Sequence, residues 1–346
     1  MICFDSDYMA GAYPEVMRAL QKTNLEHTVG YGSDDYCAKA REAVRKACGA
    51  PGALVSFLVG GTQTNSTVID ALLSHHEGVL AAETGHINVH ESGAIESCGH
   101  KVITLPSYDG KVNAEDVDKF ITEFYQDETY EHMVAPGMLY ISQPTEFGTL
   151  YSLDELEALS EVCHRHDIPL FADGARLGYA LASPQADFTL KDMARLCDVF
   201  YIGGTKCGLL MGEAVVAANP ERLPHFMPLT KQHGALLAKG RLLGIQFLEL
   251  FKDSLYVDGC RKAVELALKL KDGFRKAGYQ PVIDSFTNQQ FFTLPNSVCD
   301  KLRNEGISFE NWGPRGTQQT TVRFVTSWAS KESDIRTLLQ ILSPDL

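Results

Sequence analysis

No stretch of this 346-residue chain is apolar over the roughly 18 residues needed to cross a bilayer. Positive charge is the scarcer sign, with 31 Lys and Arg against 44 Asp and Glu and a formal net charge of −13. No long run of Lys and Arg interrupts that balance, which argues against a nucleic-acid groove or a polybasic membrane surface while still allowing a local basic pocket. Paired cysteines are also missing. The nine cysteines (Cys3, Cys37, Cys48, Cys98, Cys163, Cys197, Cys207, Cys260 and Cys299) are odd in number and form no C-x-x-C, the usage of reduced thiols in a cytosolic protein and not of a disulfide framework. Met1-Ile2-Cys3-Phe4-Asp5 lacks a basic segment leading into an apolar one, so no secretory signal is expected and the expected location is the cytoplasm. Ser/Gly-rich linkers, low-complexity tracts and repeats are absent, which excludes solenoids and propellers. His164 and His166 beside Cys163 resemble metal ligands only superficially, because they sit at a helix end before Pro169; no metal site is expected.

What is present is an ordinary globular composition, 45% hydrophobic and 22% charged. Short apolar runs bounded by Gly, Pro or Asp predict strands over 54–59, 79–82, 102–105, 138–142, 170–172, 199–202 and 213–217. Strands apolar on both faces belong to a sheet covered by helices on both sides. Between them lie helix signals. Ser152-Leu153-Asp154-Glu155 reads as a capping box, with Leu153, Leu156, Leu159 and Val162 following at helical spacing, and 114–124 reads similarly. Strand and helix alternating over 54–218 predict an α/β architecture with a mostly parallel seven-stranded sheet. After Pro228 two long helices are expected, 235–251 and 261–276, then strands near 290–294 and 320–326. The predicted organisation is a large domain over 1–250 and a smaller C-terminal α+β domain over 251–346.

In an open parallel sheet, ligands bind beyond the carboxyl ends of the strands, and four strands end in reactive residues. Val59-Gly60-Gly61-Thr62-Gln63-Thr64-Asn65 leads into a helix expected over 66–73; small residues and a helix N-terminus suit a phosphate, although a plain turn reads the same way. Leu170-Phe171-Ala172-Asp173 ends in a carboxylate that needs a partner if buried. Asp173 suits a protonated ring nitrogen, or merely caps the next helix, while Arg176 suits a substrate carboxylate held by two hydrogen bonds. Tyr201-Ile202-Gly203-Gly204-Thr205-Lys206 carries a lysine among glycines directly after an apolar strand, where desolvation lowers its pKa as a Schiff-base lysine requires; a lysine snorkelling from a loop is the alternative. His86 follows the strand ending at Ala82 and suits stacking or proton transfer, or is a solvent-facing loop residue. A phosphate turn, a ring-stacking group, a ring-nitrogen partner and an aldehyde-reactive amine are the four contacts that pyridoxal 5′-phosphate requires.

With those residues in place, the sequence resembles the threonine aldolase and β-eliminating lyase family of pyridoxal-phosphate enzymes, of the aspartate-aminotransferase type fold (fold type I). The resemblance runs from Phe4-Asp5-Ser6-Asp7 to Arg323-Phe324-Val325-Thr326-Ser327-Trp328, and its most specific parts are Asp173-Gly174-Ala175-Arg176 and the loop carrying Lys206. It implies that Lys206 bears the cofactor, Asp173 partners the pyridinium nitrogen, His86 stacks on the ring, and Gly61 and Thr62 bind the phosphate. It further implies that Ser6, Arg176 and Arg323 hold the substrate carboxylate, and that Tyr31 and Arg241 reach the site of a neighbouring subunit in a homodimer or homotetramer. The implied reaction is retro-aldol cleavage of β-hydroxy-α-amino acids, L-threonine or L-allo-threonine, to glycine and an aldehyde; β-elimination or transamination on another small amino acid is the alternative. The family's Glu-Asn-Thr-His-Asn is replaced by Ser142-Gln143-Pro144-Thr145-Glu146, without a histidine, and Cys207-Gly208 stands after the lysine in place of Gly-Leu-Gly. A Rossmann oxidoreductase would need G-x-G-x-x-G after the first strand and an acid about 20 residues on, and the sequence has neither. A cofactor-free binding protein gives no reason for a lysine and an aspartate to end neighbouring strands.

Overall fold

Apolar runs too short for helices pair as strands, and their burial on both faces fixes where they lie. The protein was studied as a computed structural model, which describes residues 1–343. In chain order its strands are β1 (Ile2–Cys3), β2 (Leu54–Leu58), β3 (Glu77–Ala82), β4 (Val102–Leu105), β5 (Ala135–Ser142), β6 (Leu170–Asp173), β7 (Val199–Gly203), β8 (Glu213–Ala217), β9 (Gln289–Pro295), β10 (Ile307–Ser308), β11 (Glu310–Asn311) and β12 (Gln319–Val325). Seven of them form one sheet in the order β2-β8-β7-β6-β5-β3-β4. Only β8 runs against its neighbours, antiparallel to both β2 and β7; the pairings from β7 across to β4 are parallel. Every residue of β6, β7 and β8 is buried.

Apolar clusters cover both faces. Val55, Leu80, Leu139, Ala172, Phe200 and Val216 pack on one side, and Leu58, Val79, Met138, Phe171, Tyr201 and Val215 on the other, beneath helices Gly61–Leu72 and Phe226–Gln232. The capping box forms as the sequence requires: Ser152 Oγ accepts from Glu155 N, and Ser152 N donates to Glu155 Oε2, starting helix Leu153–Arg165. His166 Nε2 meets Asp118 Oδ1 at 2.7 Å, and no group of His, Cys, Asp or Glu among the described residues is arranged to hold a metal ion. All nine cysteines are free.

Two helices differ from the sequence expectation. The one expected over 66–73 already begins at Gly61, with no side chain capping it, so most of the presumed loop is helix. The one expected over 235–251 is confined to Arg241–Leu250. Just before it, Tyr31 N donates to Ala238 O, and a Cβ on Gly240 would stand 2.5 Å from Gly32 N. Two backbones crossing that closely leave no room for a helix.

The second sheet is antiparallel, in the order β11-β12-β9. Its core joins Phe4 to Leu266, Leu270, Phe274, Phe292 and Phe324, while β1 pairs in parallel with β10. Helix Leu255–Lys276 serves both cores: Tyr256, Cys260, Ala263 and Val264 pack with the large sheet, Leu266, Leu270 and Phe274 with the small one. We assign to the smaller C-terminal α+β unit the second half of this helix together with the N-terminal Ile2–Phe4. No helix among the described residues is long and apolar enough to cross a membrane.

Candidate active site

The carboxyl ends of β5, β6 and β7 and the start of the helix after β2 enclose a cavity of ≈ 260 Å³. Asp173 ends β6 at its floor. An isolated carboxylate there would be expensive, but four donors converge on it: Tyr201 OH at 2.5 Å and Ala175 N at 2.9 Å on Oδ1, and Tyr140 OH at 2.7 Å and Asn65 Nδ2 at 2.9 Å on Oδ2. Burial alone would raise its pKa, yet attraction to His86 and these hydrogen bonds outweigh burial and hold it below the usual value.

His86 opens the short helix that follows β3. Its Nδ1 lies 2.6 Å from Glu91 Oε1, and its backbone N donates to Glu146 Oε1 at 2.9 Å. Glu91 Oε1 also accepts from Asn65 Nδ2 at 2.7 Å. From Asp173 the contacts continue through Tyr140 and Ser142 to Glu146, whose Oε1 accepts from Ser142 Oγ at 2.6 Å. The contacts close into a ring that starts at the imidazole of His86 and returns to its backbone, so ring orientation and Asp173 are fixed together. Burial raises the pKa of Glu146.

Lys206 follows β7 after Gly204 and Thr205. Its backbone carbonyl accepts from Tyr179 OH at 2.7 Å, and the loop is pinned by Gly204 N and Thr205 N donating to Gly212 O. The amine lines the cavity and has no hydrogen-bond or ion-pair partner among the described residues. Desolvation, then the positive charge of Arg176, lowers its pKa against the pull of Asp7, Asp173 and Glu213. Gly61 and Thr62 line the same cavity from the uncapped first turn of their helix, where unpaired N–H groups favour an anion. A Cβ on Gly61 would come within 3.2 Å of Tyr201 OH, so glycine keeps this cradle open.

Of the residues singled out in the sequence, Gly61, Thr62, His86, Asp173, Arg176 and Lys206 line this one cavity. Arg176, expected to present two donors to a substrate, already gives Nε and Nη2 to Asp7, at 2.7 and 3.2 Å. Ser6 and Arg323 do not line the cavity, but Ser6 Oγ and Arg323 Nε are buried without partners among the described residues, while the Nη atoms of Arg323 bond Gln289 and Glu310. Arg241 does not line the cavity and bonds the carbonyls of Thr23, Asn24 and Glu26. Tyr31 is half-exposed on the surface under Lys231. Sequence reasoning missed Asp7, Asn65, Glu91, Tyr140, Tyr201 and Glu213. Asp7 sits in the segment that carried the resemblance; Tyr140 and Tyr201 had a signal as lone hydroxyls in otherwise apolar strands; the rest had none.

Residues 4–294 match the β-eliminating lyase family. A low specificity L-threonine aldolase of a Pseudomonas species is 31% identical over 97% of this chain and 95% of its own length, and the one from Pseudomonas aeruginosa is 29% identical with the same coverage. The solved structure of Leishmania major threonine aldolase superposes with a TM-score of 0.95, at 40% identity and 99% coverage of both chains. Aspartate aminotransferase of Thermus thermophilus, at 16% identity and a TM-score of 0.72, shares the fold.

Proposed function

The chain belongs to the β-eliminating lyase family, and from that membership we infer that it is a pyridoxal 5′-phosphate-dependent lyase of fold type I that splits the Cα–Cβ bond of β-hydroxy-α-amino acids. L-Threonine and L-allo-threonine are its substrates, and glycine and acetaldehyde its products. The observation that carries the cofactor is the partnerless amine of Lys206, which shares one cavity with a carboxylate held ionised by four donors. The cavity residues fit the group: an amine for the aldehyde, Asp173 for a protonated ring nitrogen, His86 for the ring face, and the Gly61–Thr62 turn for the phosphate. When bound, the cofactor supplies an electron sink for the pair released by the breaking bond.

The chain's own residues supply position and charge. Lys206, kept partly desolvated, holds its nitrogen ready as a nucleophile. Asp173 keeps a negative charge beside the ring nitrogen, and Tyr140, Tyr201 and Asn65 keep that carboxylate from turning away. Ser6 Oγ and Arg323 Nε, buried donors that cost free energy while unpaired, are suited to a substrate α-carboxylate, with Arg176 adding positive potential from a fixed position. His86 Nε2, left free because Glu91 takes Nδ1, takes the β-hydroxyl proton directly or through a water. Arg241 and Tyr31 point to a homo-oligomer, dimer or tetramer, in which they would serve a neighbour's cavity. The free thiols support a cytoplasmic location.

Lys206→Ala tests the assignment. The purified variant should lose the visible absorbance of bound cofactor and release no acetaldehyde from threonine, where the parent protein does both. Retention of both properties refutes the role of Lys206, and 2-oxobutanoate in place of acetaldehyde from the parent protein would make elimination the reaction.

A further inference from the structure

Glu213 is a buried acid that the reaction above leaves without a task. Its place follows from strand register: the first residue of β8 pairs with Leu58 of β2 on one side and Gly203 of β7 on the other. β2 runs on into the Gly60–Thr62 turn, and β7 runs on into Lys206. The carboxyl therefore stands between the anion-binding turn and the amine, and it lines the same cavity as Gly61, Thr62, Thr205 and Lys206 while only 3% exposed. Oε2 accepts from Gly204 N at 3.1 Å, and Glu213 has no ion pair among the described residues.

This end of the cavity has few cations. Lys206, Arg176 and His86 are the basic side chains in its walls, and Arg241 is engaged elsewhere in the protomer. A second anion placed against a phosphate would repel it, so an acid here is tolerable only if it carries its proton. Burial pushes the pKa of Glu213 up to about 8, although Thr205, Lys206 and Gly204 N pull the other way. A phosphate dianion acts in the same direction as burial.

We propose that Glu213 is a ligand of the cofactor's phosphate: as a neutral carboxylic acid it donates a hydrogen bond to a phosphate oxygen, beside the backbone N–H groups of the Gly61–Thr62 turn. The assignment rests on the cofactor reading above and goes beyond it, since it makes an acid part of the anion cradle. The other ionisable groups that influence Glu213 or respond to it are Lys206, Asp173, Tyr201 and Tyr256. β2 and the first two turns of helix Gly61–Leu72 carry no charge, and Phe247 and Leu243 of the helix behind meet the neighbouring Gly212.

Glu213→Gln separates the alternatives, because the amide keeps the shape and a donor but cannot ionise. The probe is pyridoxine 5′-phosphate, which has the phosphate but no aldehyde and so cannot bond to Lys206, titrated into the full-length protein after removal of its cofactor. At pH 7 the two proteins should bind it within about threefold of each other. Above about pH 8 the parent should weaken relative to Glu213→Gln by about tenfold per pH unit, the linkage of one proton. Glu213 also raises the pKa of Lys206, so both titrations are repeated in the Lys206→Ala background, where the amine contributes nothing to the ratio. In the holoenzyme, the phosphorus resonance of bound cofactor should move with pH in the parent and lose that inflection in Glu213→Gln. Parallel pH profiles in the binding titration, with no difference in the phosphorus spectra, overturn the role of Glu213. If the parent protein as purified shows no cofactor absorbance, the cofactor reading itself fails, and that outcome is distinct from either.

Discussion

A guanidinium and a carboxylate that leave water together must satisfy one another, and Arg176 and Asp7 do so across 169 residues of sequence. Asp7 is 1% exposed and also accepts from Asn288 Nδ2 at 2.9 Å. Burial alone would raise its pKa, but Arg176 first, then Lys206 and Asn288, outweigh burial and hold it below the usual value. This contribution to stability is therefore fully present above the ordinary carboxyl pKa of about 3.9 and is lost only as the pH falls through the lower folded value. Asp7→Asn strands the charge of Arg176 in the interior. It should cost about 3 kcal/mol, read as a lower urea midpoint at pH 7, and an unchanged midpoint would refute the pairing. The sequence singled out Arg176, which lines the cavity, but the nitrogens expected to face a substrate are turned to Asp7, and nothing in local sequence announces a partner so far along the chain.

At the scale of elements, the site depends on how closely the ends of β6 and β7 approach. Gly203 N donates to Gly174 O at 2.9 Å, and a Cβ on Gly174 would lie 1.9 Å from Tyr201 O. Gly174→Ala should force the two strand ends apart, cost upwards of about 3 kcal/mol, and release cofactor, because Asp173 and Lys206 flank the gap. Gly52→Ala, where a Cβ meets nothing within 4 Å, should change stability by less than about 0.5 kcal/mol; equal effects from the two substitutions would deny the close approach. The strands themselves were legible because burial on both faces writes an unbroken apolar run. The helix at Gly61 was less so: its first turn is Gly-Thr-Gln-Thr, poor in helix formers and uncapped, and it forms because Val68 and Ile69 farther along are fully buried.

Across the whole molecule, a net charge of −13 has to coexist with the anionic cofactor and anionic substrate proposed for the cavity. The fold meets this by gathering Lys206 and Arg176 into one set of walls and keeping Glu213 and Glu146 buried, where desolvation favours their neutral forms. Outside the cavity, Val29, Tyr31 and Met227 are 67%, 48% and 62% exposed around a groove that Pro228 and Leu236 complete. If a second copy covers this face, as the proposed homo-oligomer requires, Met227→Glu should shift sedimentation toward the monomer while leaving far-UV circular dichroism unchanged. A parent protein that sediments as a monomer would remove Tyr31 and Arg241 from any shared site.

By itself the sequence determined the alternation of buried strands and helices, the capped helix after Ser152, and the chemical types at four strand ends, because burial and capping are local demands that each segment must meet alone. Only the tertiary structure decided which partners those types have. The claim of Asp7 on Arg176, the four donors on Asp173, the ring closed through Glu91 and Glu146, and the place of Glu213 between the Gly61–Thr62 turn and Lys206 all depend on strand order and register. Those bring together residues whose separation along the chain carries no trace of the pairing, since the free energy of each contact is realised only once the sheet has closed around it.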